Sequence, residues 1–341
     1  MKTAVVFQGG GVLGAFAAGA WQSLAPRLRS AGADVIAFGG ASIGAFNAAL
    51  AASAQGDDDL SAQALQQWWC EEVATPSFPF VWPAAWAWLG RDPGEAERLN
   101  GLLTALLLPS VLQQPAPWHW QLGSGLQRTS MPFYERPRLK RTLERLADAI
   151  AAREDPRVLV CVAASELPEG TLRLFDSDAG LRAAHIEAST AIPLLYRPVD
   201  IDGRLYWDGE LNRTSMLMPL IERLVATGRL ARGEPLRLVT VEQVRGARPE
   251  MPSSDPELAD LALSILLHGK PGDPPPQWDG PFEWLRVCRP LARGDSMSGQ
   301  FDHSPGRIAE LVDAGRQAAD RVWRERAVSL QDVNAEARPA A

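Results

Sequence analysis

Ser42 stands between Gly40 and Gly44 in "GASIG", at the point where one apolar run ends and an alanine-rich one begins. That spacing is the nucleophile-elbow pattern G-x-S-x-G, a turn so tight that glycine fits best at its flanks. The hydroxyl is then presented at a helix N-terminus, whose dipole and free N–H groups favour a developing negative charge. An ordinary glycine-rich turn would carry the same five letters, so the pentapeptide needs partners. A serine nucleophile requires donors for an oxyanion and a base for its proton.

Candidate donors lie in "GGGVLG", residues 9–14, directly after the first apolar run. Gly9, Gly11 and Gly14 also match the G-x-G-x-x-G of a dinucleotide cradle, with Asp34 as its ribose-binding acid. However, Asp34 begins a strand pattern where such an acid normally ends one, and that reading leaves the turn at Ser42 without a purpose. An oxyanion loop uses both motifs, so a nucleotide-dependent oxidoreductase is the weaker reading.

For the base, the chain has four histidines, His119, His185, His268 and His303. Spacing alone leaves a triad open, with His185 the best placed, just before "EASTAIP". Asp208 is the stronger candidate. It ends the short run "RLYWD", is followed by Gly209, and so falls at a strand's C-terminal end, where the sites of parallel sheets collect. A carboxylate can take a serine proton once partial burial raises its pKa. A plain Asp-Gly turn is the alternative.

Positioning these residues requires a parallel scaffold. "TAVVF" (3–7) and "DVIAF" (34–38) are predicted as buried strands, followed by helices over about 15–28 and up to Ser53. The opening β-loop-α-β-turn-α order implies an α/β fold with right-handed crossovers. Further strands are expected at 158–163, 171–175, 205–207 and 236–241, and helices at 139–150, 182–189 and 217–225. Another helix is expected from Ile308 to Trp323, with a frayed tail from about 328. Residues 245–305 are rich in Pro and Gly, and "PGDPPP" (271–276) reads as loop.

Residues 54–135 differ in character. They hold the acidic patch 57–59, many prolines, and seven of the twelve tryptophans: Trp68, Trp69, Trp82, Trp86, Trp88, Trp118 and Trp120. We read them as a Trp-rich helical insertion or cap. Tryptophan favours membrane–water interfaces, so "FPFVWPAAWAWL" (78–89) would line a substrate tunnel or rest on a lipid surface, unless the cap simply packs its own small core. No cationic stripe accompanies it, so attraction to anionic lipid is not indicated.

With 341 residues, 46% of them hydrophobic, the chain is long enough for one large α/β domain. A net charge of −7 without a Lys/Arg block argues against nucleic acid as a partner. Cys70, Cys161 and Cys288 are odd in number and widely spaced, which favours buried free thiols over disulfides or zinc. Met1-Lys2 precedes an apolar stretch, but the glycines at 9–11 break it, so no secretory signal is expected. "GLLTALLLPSVL" (101–112) is too short to span a bilayer and contains Pro109. The expectation is a cytoplasmic protein, soluble or peripheral to a membrane.

Taken in order, "GGGVLG" (9–14), "GASIG" (40–44) and "DG" (208–209) resemble the patatin-like phospholipase family. "EASTAIPLLYRPVDIDGRLYWDGEL" (187–211) adds a longer match, and "FDHSPGRIAELVDAGRQAA" (301–319) a weaker one. The resemblance implies a three-layer fold, a mostly parallel central sheet flanked by helices, with a catalytic domain over 4–222, an extension over 223–327 and a flexible tail over 328–341. It implies a Ser-Asp dyad without histidine, metal or cofactor. Carried over by position, Ser42 is the acylated nucleophile and Asp208 its base. Gly9, Gly10 and Gly11 form the oxyanion hole with the N–H of Ile43 as an extra donor, and Gly14, Gly40, Gly44 and Gly209 shape the turns. The implied reaction is hydrolysis of fatty-acyl esters of lipids.

Two departures from the family pattern stand out. Leu13 occupies a position where many members carry Arg or Lys, which removes a cation near the substrate. Glu210 follows the Asp-Gly pair where a small residue is usual; turned inward, it would raise the pKa of Asp208 by like-charge repulsion. That departure keeps open a protein that binds lipid, or sits on lipid granules, without turnover.

Overall fold

The computed structural model describes residues 1–54, 58–115, 134–153, 156–193, 195–212, 214–243, 276–289 and 301–336. Strands β1 (Lys2–Phe7) and β2 (Asp34–Ala41) flank helix α1 (Ala15–Ser30), and α2 (Ile43–Ser53) follows β2 after a single residue. Next come α3 (Asp58–Gln67), a π-helical segment (Trp68–Val73), α4 (Pro83–Trp88) and α5 (Pro93–Leu107). The two-residue strands β3 (Gln114–Pro115) and β4 (Tyr134–Glu135) pair only with each other. The chain then runs through α6 (Pro137–Ala151), β5 (Leu159–Glu166), β6 (Thr171–Asp176), α7 (Ala183–Ser189), β7 (Val199–Ile201) and β8 (Arg204–Asp208). It continues with α8 (Leu217–Ala226), β9 (Leu236–Glu242), β10 (Phe282–Cys288) and α9 (Pro305–Glu336).

The main sheet has the order β10-β9-β1-β2-β5-β8-β7, with β6 also paired to β5. From β10 to β5 every pairing is parallel, whereas β6, β7 and β8 join antiparallel. Parallel strands covered on both faces read as nearly continuous apolar runs, and β1, β2, β5 and β9 do. Alternation then sorts the side chains between two layers. Val5, Phe7, Phe38, Val160, Val162 and Val241 face the layer holding α1, α2 and α9. Val6, Ile36, Leu159, Cys161 and Leu238 face α8, whose Leu217, Leu220, Ile221 and Leu224 cover them. The result is the expected α/β architecture, a mostly parallel sheet between helices.

Several expectations need adjustment. β10 lies inside the Pro/Gly-rich stretch, most of which, including all but the last residue of the loop expected at 271–276, is outside the described residues, as are Trp118, Trp120, His119 and His268. Within the insertion, Trp68 and Trp69 are both buried, and Trp68 packs 4.0 Å from the ring of Phe46 in α2. Among the described tryptophans Trp82 and Trp88 are the exposed ones, at 70% and 86%. None of the three cysteines is in a disulfide, but only Cys161 is buried; Cys70 is exposed. Among the described residues no helix is long and apolar enough to cross a membrane.

Candidate active site

Ser42 is the single residue between β2 and α2, and its backbone carries φ 54° and ψ −135°. Such a conformation is uncommon for a residue with a Cβ and stores strain. The flanking glycines make the turn possible. A Cβ on Gly40 would collide with the carbonyl of Gly44, and one on Gly44 would strike the Phe7 carbonyl at the end of β1. The elbow therefore packs directly on the strand that launches the glycine loop.

Gly9 and Gly10 follow β1, and Gly11–Gly14 form one 3₁₀ turn leading into α1. Gly10 and Gly11 have φ 143° and 59°, so the backbone here turns in a way that side chains oppose. The first N–H groups of such a turn have no intrahelical acceptor. The turn is clamped from behind: Asn47 of α2 donates Nδ2 to the Gly14 carbonyl at 3.1 Å, and its Oδ1 accepts the Trp69 indole N–H at 3.0 Å.

Asp208 ends β8, whose antiparallel pairing to β5 sets Asp208 opposite Ala164. Ser42 Oγ donates to Asp208 Oδ2 at 2.6 Å, across 166 residues of chain, with both side chains buried. The other oxygen, Oδ1, accepts the Glu210 N–H at 2.8 Å. Gly209 lies in the 3₁₀ turn Gly209–Leu211, pressed against the Ala163 carbonyl. Glu210 turns inward, but to the glycine loop: the Gly9 N–H donates to its Oε1 at 2.9 Å.

The two described histidines stand elsewhere. His185 accepts the Arg182 N–H on Nδ1 at 3.0 Å and lies flat on Phe175 at 4.2 Å. Burial, reinforced by the Arg182 charge, holds its pKa down at about 4. His303 is buried in another part of the molecule. Asp34 is at the opposite end of β2 from the glycine loop and pairs with Lys2 at 2.8 Å, which removes the acid that a dinucleotide cradle would need there.

Three residues of this site carry no local sequence signal. Ser189, fully buried at the end of α7, accepts the Ser42 N–H at 3.1 Å and donates to the Ala163 carbonyl at 2.6 Å. Ser165 of β5 donates to the Asp208 carbonyl at 3.0 Å. Arg136, buried ahead of α6, donates to the Thr190 carbonyl at 2.9 Å, to Thr190 Oγ1 at 2.8 Å and to the Glu187 carbonyl at 3.2 Å, with its guanidinium 4.2 Å over the Tyr196 ring. Burial lowers its pKa, while Tyr196, Glu187 and the charge of Asp208 raise it. A guanidinium stays protonated in proteins, so a buried cation acts on Asp208 from just ahead of α6, although position 13 lacks one.

The model of the family described as patatin-like phospholipase matches residues 5–221. Among curated proteins no match is found. Among solved structures, VipD from Legionella pneumophila is 13% identical with a TM-score of 0.32, over 92% of this chain and 67% of that one. The type III effector ExoU is 16% identical with a TM-score of 0.33, over 95% of this chain and 53% of that one. This chain thus spans about half of ExoU. ExoU in its heterodimer with SpcU from Pseudomonas aeruginosa is 15% identical with a TM-score of 0.27, over 93% and 52%. The span matched by the family model contains the glycine loop, the elbow at Ser42 and the turn at Asp208, and the chain belongs to the patatin-like phospholipase family.

Proposed function

We propose that this protein is a serine acyl hydrolase that cleaves fatty-acyl esters of lipids through an acyl-enzyme on Ser42 and Asp208. The observation that carries the reading is the 2.6 Å hydrogen bond from Ser42 Oγ to Asp208 Oδ2 on a strained elbow. Ser42 Oγ attacks the ester carbonyl carbon as its proton passes to Asp208 Oδ2. The carbonyl oxygen becomes an oxyanion, held by N–H groups of the glycine loop and favoured by the N-terminus of α2 at Ile43. Of the loop donors, Gly10 and Gly11 take this role, because the Gly9 N–H is held by Glu210. The C–O bond to the leaving group then breaks, and protonated Asp208 returns the proton to the departing alkoxide. In the second half, Asp208 takes a proton from water, the hydroxide attacks the acyl carbon, and Ser42 leaves with the proton while the fatty acid is released.

A lipid substrate suits the surface of the helical insertion, where Phe78, Phe80, Trp82, Trp88 and Leu89 are exposed; aromatic rings of this kind favour a lipid–water interface. A fluorescent fluorophosphonate tests the reading. Wild-type protein labels at Ser42, and Ser42→Ala and Asp208→Asn both abolish the label. Label surviving in Asp208→Asn would reject Asp208 as the base. No label on folded wild-type protein would leave a lipid-binding protein without turnover.

A further inference from the structure

Glu210 is one of the two places where the chain departs from its family's pattern, and two of its hydrogen bonds face different parts of the site. Its backbone N–H donates to Asp208 Oδ1 at 2.8 Å, and its side-chain Oε1 accepts the Gly9 N–H at 2.9 Å. Gly9 and Glu210 are 201 residues apart in the chain. The contact is close as well as bonded: a Cβ on Gly9 would lie 2.5 Å from Glu210 Cγ and 2.6 Å from Ser42 Cβ. The glycine loop, the nucleophile and the turn after the base therefore meet at one point, with the Glu210 side chain filling the space beside Gly9.

We propose that Glu210 is a positioning residue that brackets the base turn to the oxyanion loop. A three-glycine loop has many accessible conformations, and its donors stabilise an oxyanion only when they are fixed before the reaction. A bond from Glu210 to Gly9 removes that freedom one residue upstream of Gly10 and two upstream of Gly11. It orients their N–H groups without occupying them. The same residue holds Asp208 through its backbone, so base and donors keep a constant separation. This inference rests on the reading of the loop as the oxyanion donor. It assigns a role to a side chain that the family pattern does not require.

The role depends on an acceptor at the end of a four-atom reach, which three substitutions separate from charge and bulk. Glu210→Gln keeps the acceptor and removes the charge. Glu210→Asp keeps the charge but stops one methylene short, and Glu210→Ala removes both. With a soluble short-chain p-nitrophenyl ester, Glu210→Ala and Glu210→Asp should lower kcat about ten- to a hundred-fold, leaving KM within about two-fold, because donor placement is felt in the transition state. Glu210→Gln should restore at least about half of the wild-type kcat. Amide hydrogen exchange over residues 8–14 provides a readout independent of turnover. Exchange should quicken about ten-fold or more in the Ala and Asp variants and stay at the wild-type rate in Gln. A rise in kcat in Glu210→Ala would show that the carboxylate blocks the loop, and would overturn the proposal. So would equal losses in Gln and Ala, or unchanged exchange in Ala. If wild-type protein neither labels with fluorophosphonate nor hydrolyses ester, the hydrolase reading fails and the exchange rates alone decide the bracket.

Discussion

At the residue scale, the site is built on a conformation that its own nucleophile resists. Ser42 at φ 54° pays strain of roughly 1–3 kcal/mol, and the surrounding packing of Gly40 and Gly44 enforces it. The strain can be separated from the lost hydroxyl by comparing two variants. Ser42→Ala and Ser42→Gly both delete the hydrogen bond to Asp208, but only glycine tolerates the backbone. Ser42→Gly should therefore be the more stable of the two by about 1 kcal/mol in urea unfolding, against the usual preference for Ala over Gly. Equal midpoints, or a more stable Ala variant, would mean that the turn carries no strain. The neighbouring glycines explain why the residues of the site were legible in the sequence. Gly40, Gly44 and Gly209 each stand within two residues of Ser42 or Asp208, so the glycines leave a local pattern even where the contact that requires them, with the Phe7 or the Ala163 carbonyl, is distant in the chain. Ser189 and Arg136 act across long stretches of chain through side chains whose types are common anywhere; Ser189 lies inside the matched stretch 187–211, but no spacing gives its role.

At the element scale, the strands that carry the site were legible for a similar reason. β1, β2, β5 and β9 are covered on both faces, so burial writes itself into them as apolar runs. β10 escaped because it is the edge strand of the sheet: Glu283 and Arg286 in "FEWLRVC" form ion pairs with Arg237 and Glu242, at 2.6 and 2.8 Å, within a stretch dominated by Pro and Gly. β7, three residues long, is too short to show a period. What the sequence pattern does not reveal is how the elements are tied together at the site. Ser189 connects α7, the elbow and β5 through one hydroxyl, between the Ser42 N–H and the Ala163 carbonyl. Ser189→Ala leaves a buried donor and a buried acceptor unpaired, at a cost of about 1–3 kcal/mol. Because the Ser42 N–H is one of the two orphaned groups, the variant should also lose kcat by about ten-fold with little change in KM. Urea unfolding and ester kinetics on the same preparation check both. A variant that loses stability but keeps its kcat would limit Ser189 to a structural tie.

At the scale of the whole molecule, the helical insertion is held to the body at a point that acid should loosen. His303 precedes α9, its carbonyl accepts the Thr75 N–H at 2.9 Å just after the π-helical segment, and the adjacent Asp302 packs directly against Gly101 of α5. Residues 302–303 therefore join the closing helix to two parts of the insertion. The His303 side chain is buried, and burial pushes its pKa from 6.5 down to about 4. An imidazole that is harder to protonate when folded makes the unfolded chain bind more protons between those two values. Its contribution to stability is then fully present above pH 6.5 and is lost as pH falls through about 4. A shift of that size corresponds to roughly 2–4 kcal/mol over the window. His185, also held down at about 4, titrates with the same sign and in the same window, but at α7. The two can be told apart by place. On going from pH 7 to about 4.5, amide protection factors, in which the intrinsic slowing of exchange in acid is divided out, should fall in α5 and around Thr75 before they fall in β1 and β9. His303→Gln, which has nothing to protonate, should remove that local acid response while leaving the response at α7. Exchange in α5 that is as acid-sensitive in the variant as in wild-type protein would place the acid-sensitive contact of the insertion elsewhere.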